Sequence, residues 1–69
     1  MVKVRLKLVG FEEGDRIVEV EEGKTYSDLI AELGINPETV IVIRDSTPIP
    51  LDERVEEGEV TVMRVISGG

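Results

Sequence analysis

Few side chains in this 69-residue chain can do chemistry. It has no histidine and no cysteine. That removes the commonest general base, the commonest imidazole ligand, thiolate nucleophiles, disulfides and zinc–thiolate sites. What is left is a set of carboxylates, the lysines Lys3, Lys7 and Lys24, a tyrosine (Tyr26) and a handful of hydroxyl residues. The acids Asp52, Glu53, Glu56, Glu57 and Glu59 lie close together but lack the spacing of a calcium loop, so they read as a solvated acidic segment. Paired carboxylates for glycoside chemistry would need a cleft that so short a chain has little means to wall. Another reacting group is the α-carboxylate of Gly69, which follows Gly68. Glycine has no Cβ, so it can enter a channel that would exclude other residues. At about 7% glycine usage, a pair in the last two positions arises by chance about once in two hundred chains. Ser67 to Gly69 reach roughly 10 Å, and roughly 17 Å if Val65 and Ile66 peel away with them, a plausible depth for an active-site channel. The chain therefore reads as a protein that offers a carboxylate to an enzyme, with no cofactor, no metal and no catalytic residue of its own.

The rest of the sequence must hold that carboxylate out. Val2, Val4, Leu6 and Leu8 alternate with Lys3, Arg5 and Lys7, the period of a strand with one apolar and one basic face. Residues 10–14 (GFEEG) turn. Phe11 in that turn either packs locally or joins a partner surface. Arg16, Val18 and Val20 alternate with Ile17, Glu19 and Glu21 as a second, antiparallel strand. Thr25 is an N-cap, with Asp28 in the capping-box position, ahead of a helical stripe of Tyr26, Leu29, Ile30 and Leu33. That stripe makes Tyr26 a core residue. Gly34 suits a left-handed helix end, and Asn36-Pro37 prevents the helix from restarting. Residues 40–43 are a β-branched strand, apolar on both faces. Pro48-Ile49-Pro50 can form only a short edge strand or a loop. Residues 51–58 are irregular, with Leu51 and Val55 anchoring a single helical turn, and residues 59–66 form the last strand. The order β-β-α-β-(β)-β predicts an α+β chain. Its first and last strands are central and parallel, and one helix covers one face of a four- to five-stranded mixed sheet, the β-grasp. Residues 1–66 form that domain and residues 67–69 a flexible tail.

This layout, the terminal Gly-Gly, the run Asn36-Pro37-Glu38-Thr39-Val40, the strand to Arg44, the segment Asp52-Glu53-Arg54-Val55 and the end Val65-Ile66-Ser67 resemble one family. It is that of the ubiquitin-like sulfur carriers and small modifiers: the ThiS/MoaD type, the TtuB-type tRNA-thiolation carriers and the small archaeal modifier proteins. The Asn-Pro-Glu-Thr-Val run is most similar to the last two. Many thiamine and molybdopterin carriers have Asn-Gly after the third strand, where this chain has Asp45-Ser46-Thr47. The resemblance implies that an ATP-dependent activating enzyme adenylates Gly69. A sulfur donor then makes the thiocarboxylate, and the sulfur passes to an acceptor enzyme, with tRNA thiolation the first expectation. In the modifier role, the activated carbonyl is instead joined to a target lysine by an isopeptide bond. Sulfur delivery for molybdopterin or thiamine synthesis is the alternative, and an interaction module that is never activated is the alternative of another class.

The activating enzyme needs a surface to hold. On the sheet face away from the helix, Thr61, Met63 and Val65 point outward, because Val60 and Val62 should face the core. In the third strand either Val40 and Val42 or Ile41 and Ile43 face out; shared parity with Arg44 favours the first pair. The expected partner face is thus apolar at Val42, Met63 and Val65, with a basic rim of Arg5, Lys7 and Arg44. Lys3, Lys7 and Lys24 are candidate acceptors of conjugates. The formal net charge of −7 argues against direct nucleic-acid binding. Without a long apolar run or an export signal, a cytoplasmic monomer that does not enter membranes is expected.

Overall fold

The structure is a computed structural model and describes residues 1–65. Five strands, β1 (Val2–Val9), β2 (Arg16–Val20), β3 (Val40–Arg44), β4 (Thr47–Ile49) and β5 (Gly58–Arg64), form one sheet in the order β2-β1-β5-β3-β4. β1 and β5 pair in parallel, from Val4 opposite Gly58 to Val9 opposite Met63. The remaining neighbours are antiparallel. The helix α1 (Tyr26–Glu32) lies between β2 and β3 in the chain and covers one face. This is the expected β-grasp, with all five strands formed.

Alternation along β1 sends Val4 and Leu6 inward and leaves Lys3, Arg5 and Lys7 exposed. Tyr26, Leu29 and Ile30 of α1 meet Val4, Leu6, Val20, Val40, Val42, Val60 and Val62 in the core, with no buried polar or charged residue among them. The capping box of Thr25 and Asp28 is complete. At the other end, Gly34 (φ +80°) donates to the Ala31 carbonyl and Ile35 to the Ile30 carbonyl, the paired bonds of a Schellman stop. Asp45 and Ser46, both at positive φ, join β3 to β4 as a type I′ turn requires.

Two local expectations change. Asn36-Pro37 does not simply block helix: it starts a 3-10 turn at Pro37–Thr39, because Pro suits its first position and the Asn36 side chain accepts the Glu38 N–H at 3.0 Å. Residues 51–58 hold Leu51 and Val55 against the core as expected, but the turn there is a single bond, from Glu53 N–H to the Pro50 carbonyl at 3.1 Å, and does not become a helix. Their backbone is used elsewhere: the Leu51 and Glu53 carbonyls accept the Ser27 and Tyr26 N–H groups at 2.8 and 3.1 Å, and Val55 N–H donates to the Lys24 carbonyl. The segment thus satisfies donors that the first turn of α1 leaves open. The last strand runs from Gly58 to Arg64, with Val65 just beyond it; residue 66, the expected end, lies outside the described residues.

Candidate functional site

Three contacts fix the end of β5. Val65 N–H donates to the Thr39 carbonyl at 2.8 Å. The Arg64 guanidinium lies 5.5 Å from the centre of the Phe11 ring. Gly10, at φ +89°, lets the β1–β2 turn pass so close that a Cβ there would sit 3.1 Å from Arg64 Cβ. The chain is therefore held on both flanks as far as Val65. Ser67, Gly68 and Gly69, the expected tether and reacting group, lie outside the described residues. Phe11 packs locally, against the end of the core.

The outer face of the sheet is built by the strand register. Met63 stands between Val9 on β1 and Ile41 on β3, and Thr61 stands between Lys7 and Ile43. Val65 continues the same parity and is 41% exposed. Val9, Ile41, Ile43, Met63 and Val65 thus share one apolar face, with Lys7 beside it.

Two expected members belong to the opposite side. Val42 is 1% exposed and pairs with Val62 in the core, whereas Ile41 is 37% exposed. Arg44 shares the parity of Val42, and its side chain folds over the helix side. Its guanidinium donates to the Tyr26 hydroxyl, lies 5.8 Å from the Tyr26 ring centre and pairs with Glu56 at 2.9 Å. This gives the buried tyrosine's polar end a partner, which is why a charged residue can follow the core parity. Arg5 is on the outer face, but Asp15 and Glu59 hold it at 3.2 and 3.5 Å. Lys7 is the rim charge with no ion pair among the described residues.

Val9 was not expected on the face, and in the third strand the second of the two possible pairs, Ile41 and Ile43, is the one that faces out. Val9 has the parity of Lys3, Arg5 and Lys7, a signal present in the sequence. For residues 40–43 no such signal exists, since both parities are apolar. Lys3 and Lys7 are exposed and Lys24 is half-buried. Among the described residues no group of acids is placed to hold a metal ion, and no helix is long and apolar enough to cross a membrane.

The model of the small archaeal modifier protein 2 family matches residues 2–66. The chain belongs to that family. Small archaeal modifier protein 2 of Haloferax volcanii is 37% identical over 68 residues, covering 99% of this chain and all of the relative. The sulfur carrier protein TtuB of Thermus thermophilus is 40% identical over 53 residues, covering 75% of this chain and 82% of its own. An uncharacterised protein of Archaeoglobus fulgidus is 52% identical over 68 residues, 99% of this chain and all of that one. Among solved structures, the ubiquitin of Caldiarchaeum subterraneum superposes with a TM-score of 0.71 over 99% of this chain and 98% of its own, at 15% identity. A designed protein based on a human ubiquitin template gives 0.69 at 16% identity, over 100% and 98%. Likeness at that identity speaks for the fold, and family membership makes the chain a ubiquitin-like modifier or sulfur carrier.

Proposed function

We propose that the chain is a protein cosubstrate whose Gly69 carboxylate, as the C-terminus in the cell, is activated by a separate ATP-dependent enzyme. The observation that carries this reading is the Gly68-Gly69 pair, one residue beyond the stretch 2–66 that matches the modifier family. The carboxylate attacks the α-phosphorus of ATP and pyrophosphate leaves. Hydrosulfide, or a donor that delivers it, then attacks the acyl carbon, the C–O bond to AMP breaks, AMP leaves, and the new C–S bond is that of the thiocarboxylate. In the modifier role a lysine amine takes the place of the donor, and an isopeptide bond results. The folded domain contributes geometry. With Val65 held by Thr39, the four residues beyond it can span at most about 14 Å, so the enzyme must receive the domain close to its reaction centre. The face of Val9, Ile41, Ile43, Met63 and Val65 is where it would be gripped, with Lys7 at the margin. An apolar patch with a polar border suits that task.

Adding one alanine after Gly69 tests the reading. The extended chain should fold normally and lose ATP–pyrophosphate exchange with the cognate enzyme; retained exchange would sink the proposal. In protein from its own host, a species about 16 Da heavier marks the thiocarboxylate, since sulfur replaces oxygen. Peptides with a Gly-Gly remnant on lysine mark conjugation, Lys3, Lys7 and Lys24 of this chain among the sites to inspect. Measuring 2-thiouridine, molybdopterin and thiamine after gene deletion identifies the acceptor, tRNA thiolation being the reading we favour.

A further inference from the structure

The two edges of the sheet are not equivalent. An edge strand leaves alternate N–H and C=O groups without a partner, and proteins close such edges with proline, lysine or brevity. β4 is closed this way: it has three residues, Pro48 is one of them and Pro50 follows. β2 is open. It has five residues, Arg16–Val20, contains no proline, glycine or lysine, and pairs with β1 alone among the described strands. Ile17 at its outer face is 62% exposed, against 37% for Ile41 in the interior of the sheet.

The ground on both sides of this edge is shaped. On the helix side lies a cleft of ≈ 160 Å³ walled by Leu8, Phe11, Leu33 and Ile35, with Glu12, Glu13 and Arg16 at its rim, Arg16 pairing with Glu13 at 3.4 Å. That is too small for a typical small-molecule ligand and suits a single long side chain. On the outer side Ile17 lines a shallow hollow with Lys3, Arg5, Glu57 and Glu59. Residues 12–22 carry six acids (Glu12, Glu13, Asp15, Glu19, Glu21, Glu22) and one base (Arg16), a net charge of −5. Such an edge repels a second copy of itself and attracts a cation.

We infer that β2 is a strand-addition site for an extended segment of a partner protein rich in lysine or arginine. The segment's backbone pairs with the open groups of Arg16–Val20. A basic side chain on the helix side lays its stem along Leu8, Leu33 and Ile35 and brings its head to Glu12, competing with Arg16 for Glu13. This surface is separate from the Met63 face and does not depend on the chemistry at Gly69.

The test titrates capped eight-residue peptides into the full chain labelled with nitrogen-15. The probes are alternating Lys-Val, alternating Glu-Val, and Lys-Val N-methylated either at every lysine or at every valine. The Lys-Val peptide should shift amides of residues 10–20 and 33–35, and Glu-Val should not. One N-methylated peptide should bind at least 10-fold more weakly than the other, because an added strand uses alternate amides. The double variant Glu12→Lys, Glu19→Lys, at two exposed positions, takes residues 12–22 from −5 to −1 and should weaken binding of the Lys-Val peptide by at least 10-fold. Shifts confined to Ile41, Ile43 and Met63, equal binding of the two methylated peptides, or a dimer sealed through β2 in sedimentation would each overturn the inference.

Discussion

Asp28 secures the start of α1 from two directions. Its carboxylate accepts the Thr25 N–H at 3.2 Å, and its own N–H donates to the Thr25 hydroxyl, also at 3.2 Å. The backbone bond from Thr25 first, then the side-chain bond, hold this carboxyl below the ordinary aspartate range; desolvation opposes the effect and Lys24 adds to it. A folded-state value lower than the unfolded one stabilises the fold above the unfolded value, and that contribution is lost as pH falls through the folded one. The urea midpoint of the native chain should therefore fall more steeply below about pH 4 than that of Asp28→Asn, which has no carboxyl to titrate. Parallel curves would show that the box does not respond to protonation. The Thr-x-x-Asp spacing was legible because both partners lie within one turn. The partners of the Tyr26 hydroxyl were not, since Arg44 and the Glu56 N–H come from distant parts of the chain.

At the scale of elements, β1, α1 and β5 could be read from their apolar periodicity. In β3 neither parity is marked, so its orientation is decided by its neighbour: the pairing of Val42 with Val62 carries Val42 inward. Lysine and arginine are poor guides to an outer face when a buried hydroxyl can use them, as Arg44 illustrates. Thermal unfolding checks the assignment. Val42→Ala should cost about 2 kcal/mol through lost burial and the space left behind, and Ile41→Ala less than about 1 kcal/mol. Equal costs would contradict the orientation. The outer face can be probed with the charge substitutions Met63→Asp and Val65→Asp. Each should leave the unfolding midpoint within a few degrees and weaken binding to the activating enzyme by about 10-fold or more, as expected for a central apolar contact. Unchanged affinity would place the grip elsewhere.

For the molecule as a whole, a core that holds eleven buried apolar residues among the described ones must offset the self-repulsion of a net charge of −7. At about 0.01 M salt the screening length, roughly 30 Å, approaches the long dimension of 36 Å, so repulsion acts across the entire domain; at about 1 M it shrinks to roughly 3 Å. The unfolding temperature should rise over that range, by about 4–8 °C for each kcal/mol gained. A fall would mean that pairs such as Arg5–Asp15 and Arg44–Glu56 outweigh the repulsion. The parallel pairing of β1 with β5 has a mechanical meaning as well. A load applied between the start of β1 and the end of β5 runs along both strands, across the hydrogen bonds that join residues 4–9 to 58–63. Those bonds must then yield together, in shear, instead of opening one after another like a zip. A domain tugged by the end of β5, while the start of β1 is gripped, would keep its shape under forces that peel apart a hairpin.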